Sequence, residues 1–334
     1  MQLLRQYAWI CIVAVMLIFG CSMKFTQEEA ARRVSEAREH FEVVKSLEIK
    51  DVYSQEYAAA ESSLIKAEEM LNKSSRDKAV ETAGQSLEVS RRILRKFYVE
   101  TIGELARKAR KELEKKTEGD SDNPLTGYVP KLDTVVEQVE KVEKDEQLLS
   151  LNTILDDLKE ILQITYSIQT SSAKTLESDI SFDKGKYELS DKGKEGLKSF
   201  LEKIVADKET YLAKHPDKKV ATKVKTVGYT DEVNFTEGTE RIKSLMSGVE
   251  DQVPQIQPAR RQFLNQRLSE FRARSVAGYI ESFVSKGKDE NPRFRVDAEI
   301  VGHGEKIPAN VPAPYPVQDP RRRICKVYTY TTVH

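Results

Sequence analysis

The chain has 334 residues, room for two domains, and its 54 basic side chains balance its 54 acidic ones. Zero net charge removes the electrostatic case for a nucleic-acid partner, and no nucleic-acid-binding motif occurs. Three cysteines, Cys11, Cys21 and Cys325, are too few for a disulfide framework.

The chain begins with Arg5 ahead of an apolar run from Ala8 to Gly20, and Cys21 follows at once. A helix of that length rises about 20 Å, short of the roughly 30 Å hydrocarbon core. Residues 1–20 therefore read as a secretory signal rather than a membrane span. Ile18-Phe19-Gly20-Cys21 resembles a bacterial lipobox. The resemblance implies that Cys21 is lipidated with palmitate-type chains and becomes the mature N-terminus, with residues 21–25 as anchor and linker. Each buried methylene is worth about 0.8 kcal/mol, so two or three chains hold the outer-membrane lipid almost permanently. Ser22, not Asp, implies an outer-membrane address facing the periplasm. Cys11 leaves with the signal, and Cys325 is expected to be a small buried hydrophobe.

Residues 26–170 read as helices. Thr26 with Glu29 has the form of a capping box. Apolar residues then recur at helical period: Ala30, Val34, Ala37, Phe41, Val44 and Leu47. A second helix follows the break near Asp51, with Tyr57, Ala60, Leu64, Ala67 and Leu71. A third runs from Ala79 to Leu113. Glu118–Gly127 reads as a loop. A fourth helix carries Leu132, Val135, Val139 and Val142, then Leu148, Ile154, Leu158 and Ile161. No strict heptad persists, so the pattern predicts a helical bundle, or a segmented coiled coil, serving as a spacer or docking surface for envelope proteins.

After Thr170 the period changes. Ser181-Phe182-Asp183 leads through Tyr187 to Ser190 into a helix with Leu197, Phe200, Leu201 and Ile204. Lys219–Val227 alternates as a strand and ends at Gly228-Tyr229-Thr230-Asp231. Asn265 to about Val284 is a helix, Arg293–Val301 a strand, and Gly302-His303-Gly304-Glu305 a turn before Pro308. Arg321-Arg322-Arg323-Ile324 precedes a last strand over Val327–Thr331.

Asn265-Gln266-Arg267-Leu268-Ser269-Glu270-Phe271-Arg272-Ala273 has the form N-x-x-L-S-x-x-R-A. With the F-D, G-Y-T-D, G-H-G-E and Arg-run motifs, it resembles the OmpA-like C-terminal domain family across residues 177–331, a resemblance that makes the F-D motif its first strand. The fold class is thus α+β: an N-terminal helical region, then a β-α-β-α-β-β domain over residues 171–334. Helices should cover one face of a mixed sheet. The resemblance implies a non-enzymatic outer-membrane lipoprotein that binds peptidoglycan. Asp231 would accept the ammonium of the stem-peptide diaminopimelate and Arg272 would pair its carboxylate, while Thr230 and Leu268 would shape the pocket. No cofactor or metal is implied. The chain departs from the family at Tyr229, where His is usual, and at Asn234, where Gly is usual. The largest departure is an insertion at about 233–263 carrying an amphipathic segment from Thr239 to Val249. That insertion reads as a lid, a partner surface or a plug; a plug would leave an envelope scaffold protein. An envelope hydrolase would need H-E-x-x-H or G-x-S-x-G, and neither occurs.

Overall fold

The computed structural model describes residues 24–145, 150–177, 181–182, 186–286, 294–309 and 316–333. The stretch read as a signal, Cys21, Leu148 and Asp183 lie outside them. The fold is α+β, with a four-stranded mixed sheet. Two compact units form. One comprises the chain up to Glu104 with Glu137–Asp157; the other comprises Leu105–Val136 with Leu158–His334. The division near residue 170 that the change of period suggests is therefore not where the contacts divide.

In the first unit, α1 (Gln27–Ser46), α2 (Ser54–Asn72) and α3 (Arg76–Lys96) pack together. The capping box forms: the Glu29 N–H donates to Thr26 Oγ1 at 3.1 Å, and the Thr26 N–H to Glu29 Oε2 at 2.8 Å. The helices meet along small residues. Ala30, Ala37, Ala60, Ala67, Ala79 and Ala83 are all buried, and Ser86 Oγ donates to the Ala60 carbonyl at 2.8 Å. The Phe41 and Tyr57 rings pack 5.0 Å apart. The third helical stretch of the sequence is interrupted. Phe97–Ile102 is π-helical before α4 (Gly103–Thr117) begins. Phe97, Tyr98 and Ile102 are all buried there, and Tyr98 Oη donates to Asp157 Oδ2 at 2.7 Å. The fourth stretch is two helices, α5 (Val129–Asp145) and α6 (Leu151–Thr170).

In the second unit, the sheet order is β1 (Ser172–Glu177), β4 (Ile324–Val333), β2 (Val220–Gly228), β3 (Phe294–Gly302). β4 runs antiparallel to both its neighbours, and β2 pairs β3 in parallel. Three more helices belong here: α7 (Asp191–Lys214), α8 (Glu240–Met246) within the insertion, and α9 (Ala259–Lys286). The first strand lies upstream of the F-D motif, and Phe182 makes only an isolated bridge to Leu189. The period-two pattern sorts the sheet residues between faces. Leu176, Val224, Cys325 and Val327 join Leu197, Leu201, Val276 and Ile280 of α7 and α9 in one core. Burial pushes the Cys325 thiol up to about 12, so it behaves as a hydrophobe.

Helices were expected to cover one face only. The opposite face carries Val227, Tyr229, Ile324 and Tyr328, which form a separate buried cluster. The segment after α4 lies against it: Asp122 and Asp120 bond residues of this face, and the Tyr128 ring meets Tyr330 edge-on at 6.2 Å. Glu118–Gly127 is thus more than a surface loop. Asn123 caps a 3-10 helix over Pro124–Tyr128 and buries Leu125.

Candidate functional site

The site is built where β2 crosses α9. A Cβ on Gly228 would come within 2.1 Å of the Ser269 carbonyl oxygen, and one on Gly302 within 2.6 Å of Ser269 Oγ. Only glycine allows both strands to approach the helix this closely. Ser269 Oγ accepts the Gly304 N–H at 3.0 Å and donates to the Gln266 carbonyl at 2.7 Å. Gly304 has φ +55°, a left-handed conformation suited to glycine. The spacing of the sequence motifs therefore has a steric cause: one serine fixes two strand ends.

Past Gly228 the chain is held on both sides. The Tyr229 N–H donates to the Ile324 carbonyl and the Thr230 N–H to the Gly304 carbonyl, each at 2.8 Å. The Glu232 N–H donates to the Val317 carbonyl at 3.0 Å. Thr230 and Asp231 are 1% and 4% exposed. Neither Thr230 Oγ1 nor Asp231 Oδ2 has a hydrogen-bond partner among the described residues. Arg323 Nε stands 3.5 Å from Asp231 Oδ2, an ion pair without hydrogen-bond geometry. Burial pushes the Asp231 carboxyl above its usual value; Arg323, the backbone N–H groups of Asp231 and Val233, and Arg322 oppose this without cancelling it.

Arg272 lies three residues beyond Ser269 on α9 and is 8% exposed. Its guanidinium stands over the Phe182 ring, 5.2 Å from the centroid, a cation–π contact. The phenylalanine of the F-D motif thus meets the arginine of the helix motif. Asn265 has a supporting role. Its Nδ2 donates to Glu305 Oε1 at 2.7 Å, and Arg261 grips the same carboxylate at 2.8 and 3.0 Å. Arg322 Nη1 donates to Glu232 Oε1 at 2.9 Å. Glu232 is therefore paired with Arg322, and Glu305 with Arg261.

Leu268 is placed elsewhere than expected. It packs with Ile242, Leu245 and Leu264, flanked by Phe235, Met246, Phe263 and Phe271. This small core belongs to the insertion. Thr239 caps α8, Arg267 Nε donates to the Leu245 carbonyl at 3.1 Å, and Arg260 pairs with Glu237 at 3.0 and 3.1 Å. Leu268 anchors the insertion to α9.

Reasoning from sequence missed two residues. Arg323 was legible as one of the Arg321–Arg323 run that contributes to the resemblance, but not as the member that meets Asp231. Asp122, 7% exposed, accepts from Tyr229 Oη, and from His303 Nε2 at 2.8 Å. The available signal was Tyr229 itself, because a buried phenol requires an acceptor. A cavity of about 210 Å³ lies near this loop, lined by Lys116, Asn123, Leu125, Tyr328 and Tyr330 among others; its lining includes neither Asp231 nor Arg272. Among the described residues no cluster of His, Cys, Asp or Glu has metal-ligand geometry, and no helix is long and apolar enough to cross a membrane.

No protein-family model matches the chain, and no curated protein matches it.

Proposed function

We propose that this protein is a non-enzymatic outer-membrane lipoprotein that holds peptidoglycan non-covalently through the diaminopimelate of the stem peptide. One observation carries the reading: on two consecutive residues, the buried polar atoms Thr230 Oγ1 and Asp231 Oδ2 lack hydrogen-bond partners among the described residues. Buried polar groups are nearly always satisfied, so such a pair is what a polar ligand would complete. A carboxylate held above its usual pKa by burial gains most from an ammonium. Arg272 would pair the carboxylate of the zwitterion through its guanidinium fork, with Arg323 beside Asp231. The order β1-α7-β2-α9-β3-β4, with α8 set aside as part of the insertion, agrees with an OmpA-like arrangement. Cys21 would tether the chain to outer-membrane lipid, and the helical region would act as spacer or as a docking surface for envelope partners.

The placement of Leu268 under the insertion favours one rival, a scaffold protein whose pocket is closed. Calorimetric titration of the whole mature chain with a diaminopimelate muropeptide separates the two. Charge-assisted hydrogen bonds are worth about 1.5–3 kcal/mol, so Asp231→Asn and Arg272→Lys should each weaken binding roughly 10- to 100-fold. If both variants bind as tightly as the wild type, or the wild type does not bind, the scaffold reading takes over.

A further inference from the structure

The loop between α4 and α5 grips the two strand ends that carry the candidate site. Asp122 accepts from Tyr229 Oη and, at 2.8 Å, from His303 Nε2. Tyr229 precedes Thr230 and Asp231 directly. His303 lies between Gly302 and Gly304, in the turn whose Gly304 carbonyl accepts the Thr230 N–H. The two rings lie 5.1 Å apart, so one carboxylate spans the end of β2 and the end of β3. Asp120 makes a parallel set of bonds on β4. It accepts from Lys326 Nζ at 3.0 Å and from Tyr328 Oη at 2.8 and 2.9 Å. Lys326 Nζ also lies 3.9 Å from Asp122. Both aspartates come from a loop of the helical region and point at the sheet face away from α7 and α9.

We infer that Asp122 is a positioning residue for the Asp231 site: by tying Tyr229 to His303 it fixes the spacing of the segments that hold Thr230 and Asp231. The α4–α5 loop is thus part of the ligand site although it touches no ligand, and its docking sets the site's affinity. The ligand named here rests on the function proposed above; the geometry does not.

The two aspartates supply the control, because a purely structural role would make them equivalent. Asp122→Asn, Tyr229→Phe and Asp120→Asn are compared in the whole mature chain. Two measurements are made: amide hydrogen exchange over Gly228–Glu232 and His303–Lys306, and affinity for meso-diaminopimelate. Residues coupled to a site through a contact network change its affinity by about 3- to 30-fold. Asp122→Asn should speed exchange in both segments and weaken binding by that factor. Tyr229→Phe, which removes one hydroxyl, should act in the same direction, and Asp120→Asn should leave both segments and the affinity within about twofold of the wild type. Unchanged exchange in Asp122→Asn and Tyr229→Phe, or equal effects from the Asp120 and Asp122 variants, overturns the inference. If the wild type binds no diaminopimelate while Asp122→Asn and Tyr229→Phe still loosen both segments, positioning stands and the ligand assignment fails.

Discussion

Asp122 and Asp231 are both buried aspartates within the second unit, and their surroundings drive them in opposite directions. Burial alone would raise both. At Asp122 hydrogen bonds from Tyr229 and His303, with the charges of His303 and Lys326, outweigh it and hold the carboxyl below its usual value. At Asp231 burial wins over Arg323, two backbone N–H groups and Arg322, and the carboxyl is held above it. The difference is not depth but complement. Asp122 has its acceptors filled by the protein, whereas Asp231 keeps an oxygen without a hydrogen bond beside an arginine at 3.5 Å. A satisfied buried carboxylate stabilises the fold. An unsatisfied one costs stability and persists where a ligand gives the missing partner.

The largest test of this contrast removes one side of it. A fragment of residues 171–334 follows the change of period but omits Asp120, Asp122, Leu125 and Tyr128. It leaves Tyr229, His303, Lys326 and Tyr328 without these acceptors and exposes the second face of the sheet. A fragment of residues 105–334 keeps them. The shorter fragment should melt roughly 4–24 °C below the longer one, given a net contribution of about 0.5–1.5 kcal/mol from each of the four lost bonding partners and about 2–4 °C per kcal/mol at this size. Equal melting temperatures in scanning calorimetry would show that the loop contributes nothing to the sheet.

The next test sets the two carboxylates side by side. Asp122→Asn removes a charge 3.9 Å from Lys326 Nζ and weakens the hydrogen bonds from Tyr229 and His303, so it should destabilise by about 1–3 kcal/mol. Asp231→Asn removes a charge that burial penalises and keeps the shape. It should stabilise by about 0.5–2 kcal/mol while losing the ligand, the usual trade at a binding site. Urea denaturation at neutral pH gives both numbers. Destabilisation of the same size in both variants would erase the distinction.

The unequal legibility of the two sites in the sequence has a physical basis. The meeting of the Gly228–Asp231 and Asn265–Arg272 motifs was legible because Gly228 and Ser269 approach closely and impose the spacing. The helices and β2, β3 and β4 were legible because their buried faces repeat at 3.6 or 2 residues. Asp122 was not, because it lies 107 residues before Tyr229 in the chain, in a segment rich in turn formers. Periodicity says nothing about where such a loop docks. β1 was misplaced for a related reason. Only Leu176 of its six residues is buried, so it shows no alternation, and the F-D motif downstream looked more like a strand. The π-helical turn at Phe97–Ile102 was hidden because its apolar residues continue the helical stripe. Leu268 was legible as buried but not as to its partners, because the insertion supplies them.

The smallest expected effect is the sharpest, because the two aspartates should respond to acid in different windows. Stability depends on pH wherever folded and unfolded chains bind different numbers of protons. Asp122 has a lowered folded value, so its contribution is complete above the ordinary aspartate value of 3.8 and is lost only as the pH falls from 3.8 through the folded value. Asp231 has a raised folded value, so its cost is complete above that value, shrinks as the pH falls, and is gone below 3.8. In a pH series of urea melts, the advantage of Asp231→Asn over the wild type should therefore shrink first on acidification and vanish by 3.8. The deficit of Asp122→Asn should hold steady down to 3.8 and contract only below it. If the Asp231→Asn advantage persists below 3.8, or both gaps close together, the two carboxylates share one environment and the contrast between satisfied and unsatisfied burial is lost.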